Sequence, residues 1–146
     1  MSPAESLIAV ARRLSAFNFE SGSPERRMVD AIERWLSADA ATLDEALGLT
    51  GAPGRETART LHRRALRDRH LVAAHGIIGA ASPWRGCLAL ADEIARFESV
   101  IWPRWRDLPE PPPGASLLRA ELFAARQFGT LPGTPMQLSR IVNNAS

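Results

Sequence analysis

Arg55, Arg59, Arg63 and Arg67 recur at every fourth position, and on an α-helix that spacing stacks them into one slowly drifting stripe. A guanidinium carries a planar fork of donors. A stripe of such forks suits phosphate and carboxylate groups, because each fork can give two parallel hydrogen bonds to an anion. The segment from Arg55 to His70 also holds Arg64 and Arg69 against only Glu56 and Asp68, a local charge of +4 in a chain whose total is +2. The rest of the chain is therefore slightly acidic. Thr57, Thr60 and His62 stand between the arginines as polar side chains. The chemistry on offer is anion binding by Arg55, Arg59, Arg63 and Arg67, with Thr60, Arg64 and Arg69 assisting. The expected partner is nucleic acid or an acidic protein surface.

Other reactive side chains form no comparable pattern. His62, His70 and His75 lack the four-residue spacing that puts two imidazoles on one helix face, so no metal site is expected. Cys87 is the single cysteine, which excludes an internal disulfide and a cysteine-rich zinc site. It lies on an apolar helix row, where a thiol packs rather than reacts. The Gly76-Ile-Ile-Gly79 run has the outline of a KH-domain nucleotide clamp, but such a clamp needs strands, and a turn or close helix packing is the reading here. There is no glycine-rich strand-to-helix phosphate loop, no serine elbow and no recognisable pair of acid and base carboxylates. The chain reads as non-enzymatic and without cofactor; a hydrolase assembled from residues far apart in sequence is the third-ranked reading.

Composition narrows the class further. A chain of 146 residues with 45% apolar and 23% charged residues fits one globular domain with a true core. The sequence has no Lys and no Tyr, so little titrates between His and Arg, and the pI of 9.8 reflects that empty window more than a large charge. A coding bias toward Arg accounts for the missing lysines, so only the clustering carries information. The apolar run Leu7 to Ala11 is too short and is followed by Arg12 and Arg13, unlike a secretory leader. No run is long enough to span a bilayer. A cytoplasmic protein without membrane association is the expectation.

The elements that must position the stripe are all helical. No stretch alternates in the manner of a strand. A first helix is predicted from Ala4 to Phe17, and a second opens at Ser23-Pro24 with Met28, Ile32, Trp35 and Leu36 inward. Thr42 and Glu45 form a capping box for a short helix from Leu43 to Leu47. After a Gly/Pro loop comes the arginine helix, with Ala58, Leu61, Ala65 and Val72 as its inner line, breaking near Gly76 or Gly79. Helix, loop and arginine helix trace a helix-turn-helix, although the loop exceeds the usual three or four residues. Ser82-Pro83 starts the central helix, Trp84 to Ile101, with Cys87, Leu90, Ile94, Phe97 and Ile101 in one apolar row and Pro103 as its stop. Trp84 and Trp102 are assigned to the core, and Trp105 to an exposed position as an interface anchor. Residues 107–114 form a proline-rich connector, followed by a helix from Ser116 with Leu118, Leu122, Phe123 and Phe128, stopped at Gly129. A last helix starts at Thr134-Pro135 with Met136, Leu138, Ile141 and Val142, and residues 143–146 fray.

Ser82-Pro-Trp84, Arg96-Phe-Glu98, Trp102-Pro-Arg-Trp105 and the Leu131 to Leu138 element resemble motifs of small proteobacterial prophage and mobile-element proteins, to which no activity is attached. That likeness covers most of the chain. Leu88, Leu90, Trp102 and Pro103 are similar, more loosely, to the N-terminal ImpA-like domain of the type VI secretion protein TssA. The resemblances imply an assembly or accessory role that uses the same stripe on an acidic partner. The expected architecture is all-α, a single compact bundle of about six or seven helices spanning residues 1–146. A Leu/Phe helix face left uncovered would mean homo-oligomerisation.

Overall fold

The structure is a computed structural model that describes residues 2–51, 53–54 and 56–145. The fold is all-α as expected, and no strand occurs among the described residues. Its helices gather into two compact units, Met1–Arg59 and Thr60–Ser146.

The first unit contains α1 (Pro3–Ser15), α2 (Pro24–Leu36) and α3 (Leu43–Ala46). A capping box missing from the sequence reading opens α1: Ser2 Oγ accepts from the Glu5 amide at 3.2 Å, and the Glu5 carboxylate accepts from the Ser2 amide at 2.6 Å. The bond from the Ser2 amide and, after it, one from the Ser2 side chain hold the Glu5 carboxyl below its usual range. Ser23 caps α2 with Pro24 in the first turn, and α2 packs on both α1 and α3. The buried side of α2 is Val29, Ala31 and Ile32; Met28 and Leu36, expected inward, are 48% and 47% exposed. The inner arc centres between Val29 and Ile32, which turns Met28 and Leu36 out to its flanks. Thr42 Oγ1 accepts from the Glu45 amide, and the Glu45 carboxylate reaches back to the Ala41 amide, one residue beyond the expected partner. A cluster of Ala31, Ala40 and Ala46 with Trp35 and Leu47 fills the space between α2 and α3.

The second unit is built from α4 (Ala58–Ile78), α5 (Pro83–Arg96), a π turn (Phe97–Ile101), α6 (Trp102–Trp105), α7 (Leu117–Gln127) and α8 (Pro135–Asn144); α4 starts two residues before the boundary. Cys87, Leu90, Ile94, Phe97 and Ile101 are all buried, as the apolar row predicts. They meet Leu71 and Ala74 of α4, Leu122, Phe123 and Ala125 of α7, Leu131, and Leu138 of α8.

The structure corrects several details of the reading. The inner line of α4 is Leu71 and Ala74, while Ala58, Leu61 and Ala65 are exposed, because only the second half of this helix packs on a core. Pro103 does not stop the helix. Phe97–Ile101 widens into a π turn in which the Trp102 amide donates to Phe97 O, and the chain then continues helically through Trp105. That wider turn relieves the clash and the lost donor that proline brings to a regular helix. Trp84 is 48% exposed rather than packed, and Met136 is 58% exposed. Residues Asn143 and Asn144 belong to α8 rather than to a frayed tail.

Candidate anion-binding surface

Residues 58–65, the first two turns of α4, are exposed, so Arg59, Thr60, Arg63 and Arg64 stand at the surface. Arg55 lies outside the described residues. The stripe then divides. Arg63 Nη2 donates to Gln127 O at 2.9 Å, and its guanidinium sits 5.9 Å from the centre of the Phe128 ring. Arg67 Nη1 donates to Thr130 O at 3.1 Å, while its Nε and Nη2 both donate to Asp68 Oδ1, at 2.9 and 2.7 Å. Gln127 ends α7, where a helix leaves acceptors unsatisfied and carries partial negative charge, and Thr130 lies three residues beyond it. Two stripe arginines therefore clamp the end of α7, and the Arg67 side chain is only 19% exposed.

Arg64 and Arg67 also line a cleft of about 490 Å³ with Asp68, residues 130–133, Gln137, Arg140 and Ile141. Arg140 was missed in the sequence because it has no cationic neighbour on α8; proximity to α4 exists only in the fold. Thr60 joins Arg63, Arg64, Arg67 and Phe128 around a smaller hollow of about 230 Å³. Arg69 faces a different hollow, shared with Ala65, Asp68, Val72, Ile141, Asn144 and Ala145.

The remaining chemically distinctive side chains have structural partners. His70 Nδ1 lies 2.6 Å from the Glu121 carboxylate, with its ring parallel to Phe128 at 6.0 Å. That pair spans 51 residues of sequence and left no local signal. His75 Nε2 donates to Pro83 O at 3.0 Å, and His62 is exposed. Burial pushes the Cys87 thiol pKa up, as expected for a packed rather than reactive cysteine. No group of three or more His, Cys, Asp or Glu able to hold a metal occurs among the described residues.

Trp102 and Trp105 pack on Phe97 and Phe123, with ring centres 6.0 to 6.3 Å apart. Trp105 is thus half-buried, and Trp84 is the tryptophan that stands out. Glu98 on the π turn pairs with Arg126 at 2.9 Å, and the Arg126 guanidinium lies 4.8 Å from the centre of the Trp102 ring. Phe97, Trp102 and Trp105, all within the family-like motifs, are parts of one core, and Glu98 pairs with Arg126 at its edge.

The fold and site define an all-α protein with a cationic helix face whose cations are shared between holding α7 and facing outward. Comparison with protein-family models, curated proteins and solved structures finds no match to the chain. No described helix is long and apolar enough to cross a membrane.

Proposed function

We propose that the protein is a non-enzymatic helical module that binds nucleic acid through phosphate contacts from α4. The observation that supports this reading is the run of exposed residues over the first two turns of α4, which presents Arg59, Arg63 and Arg64 together. Guanidinium groups on one ridge can follow successive phosphates, and each phosphate neutralised releases condensed counterions. Such binding is independent of base sequence and falls with salt. A cytoplasmic setting suits it, since the single buried thiol needs no oxidising compartment.

A second reading is favoured by Trp84 and Leu88, exposed at adjacent turns of α5. There the module would be an assembly or accessory component of a phage-derived or TssA-like system, meeting an acidic protein surface.

Fluorescence anisotropy with labelled DNA and RNA at a low and a high salt concentration tests the first reading. The variant alongside it is Arg59→Glu/Arg64→Glu, because Arg63 and Arg67 also hold the fold. Engagement of three phosphates gives a log–log salt slope of roughly −2 to −3, and the variant loses most of the affinity. No binding at low salt removes the reading and leaves the protein partner.

A further inference from the structure

The cleft between α4 and α8 is not simply a continuation of the arginine ridge. Its lining takes Arg64 and Arg67 from one helix and Arg140 from another, so arginines from two separated stretches of chain border one concavity. Among the described residues of the lining the carboxylate is that of Asp68, which accepts two hydrogen bonds from Arg67. The lining also includes Pro132, Ile141 and Gln137, with the buried Leu131 beneath them. A purely ionic phosphate site has no use for an apolar wall. A volume of about 490 Å³ falls in the range of sites that enclose a small organic group and exceeds what one phosphate needs.

We propose that this cleft seats one unstacked nucleotide of a single strand, with its phosphate on Arg64 and Arg140 and its base against Pro132 and Ile141. The inference rests on nucleic-acid binding by the α4 face and names the form of nucleic acid it takes. In a duplex the base faces are stacked and the pairing edges occupied, so a duplex brings only phosphates to a protein surface. A single strand can turn a base out onto an apolar wall, with an amide side chain at its edge. The positive end of the α8 dipole lies at the same cleft and adds to its attraction for the phosphate.

Gly133 supplies a clean perturbation. It lines the cleft, a Cβ built there meets no atom within 4 Å, and its φ lies outside the left-handed region. Gly133→Glu therefore adds a carboxylate at the cleft while leaving Arg64, Arg67 and Arg140 themselves in place. The experiment is anisotropy with a labelled oligothymidylate and a labelled hairpin duplex at matched ionic strength, on the wild-type chain, Gly133→Glu and Arg140→Gln, with far-UV circular dichroism to confirm that each variant is folded. The wild-type protein is expected to prefer the strand by about tenfold, the effect of removing on the order of 60 Å² of base from water. Gly133→Glu is expected to abolish that preference while leaving duplex binding nearly unchanged, and Arg140→Gln to weaken strand binding by about tenfold. Equal affinity for strand and duplex, or a strand preference that both variants retain, overturns the nucleotide seat while leaving phosphate binding by α4 intact. Absence of binding to either probe at low salt removes both readings together.

Discussion

Arg67→Gln, Arg63→Gln and Arg59→Gln should destabilise the protein in that descending order, although on a helical wheel the three are near-equivalent members of one stripe. Arg67 bonds Thr130 O and the Asp68 carboxylate with a side chain that is 19% exposed. A hydrogen bond from a charged donor contributes about 1.5 kcal/mol or more when it is largely shielded. The pair with Asp68, whose side chain is 27% exposed, adds less than about 1 kcal/mol after solvent screening. Loss of both gives roughly 2 kcal/mol, or about 10 °C in Tm for a unit of this size. Arg63 is exposed and makes one bond to Gln127 O with a loose ring contact, so its loss should cost below about 1 kcal/mol. Arg59 is a surface residue near the start of α4, and its replacement should stay within about 0.5 kcal/mol. Urea unfolding followed by circular dichroism and tryptophan fluorescence resolves these differences. Equal costs at the three positions, or a cost at Arg59 matching that at Arg67, would show that the α7 clamp contributes nothing and refute the division of the stripe.

Two further predictions concern the α4–α5 corner and the core. A methyl group at Gly86 would meet the His75 imidazole and push it off Pro83 O, so Gly86→Ala should forfeit the gain of about 1 kcal/mol that replacing a helical glycine usually brings in thermal unfolding; the full gain would refute the contact. Because burial raises the Cys87 pKa in the folded state, the native thiol should resist alkylation at mildly alkaline pH until the chain is unfolded. The sign for stability follows: the native state keeps its proton where the unfolded thiol has lost it, so this contribution is full below the unfolded value of about 8.5 and declines as pH rises through the folded one. Rapid labelling of the native protein would contradict both statements.

Helix starts were the most legible feature of the sequence, since Ser23, Thr42, Ser82, Ser116 and Thr134 each present a side-chain oxygen to the first turn. The row from Cys87 to Ile101 was legible for a related reason: its period matches the helix, and all five residues lie on the buried side. The inner line of α4 was not, because Ala58, Leu61 and Ala65 repeat with the same period whether or not anything packs on them. Pro103 misled because a proline stops only a regular helix, and the turn before it is not regular. At the site, the stripe itself was readable, but its division was not. The acceptors at Gln127 and Thr130 are more than 60 residues away from Arg63 and Arg67, and Arg140 joins Arg64 only once α4 and α8 are folded together.

The π turn has a consequence for chain length. A turn that closes i to i+5 holds one residue more than an α-helical turn for nearly the same advance. Phe97–Ile101 therefore carries a surplus residue, whose removal would keep Trp102 and Trp105 in phase with Phe123 but return Pro103 to a regular helix. One residue lost from Pro83–Arg96 would instead rotate the packed face by about 100° relative to everything upstream. A deletion within Phe97–Ile101 should therefore cost about 3 kcal/mol, as a proline inside a regular helix does, and one within Pro83–Arg96 should cost more, because it turns the packed row away from its partners.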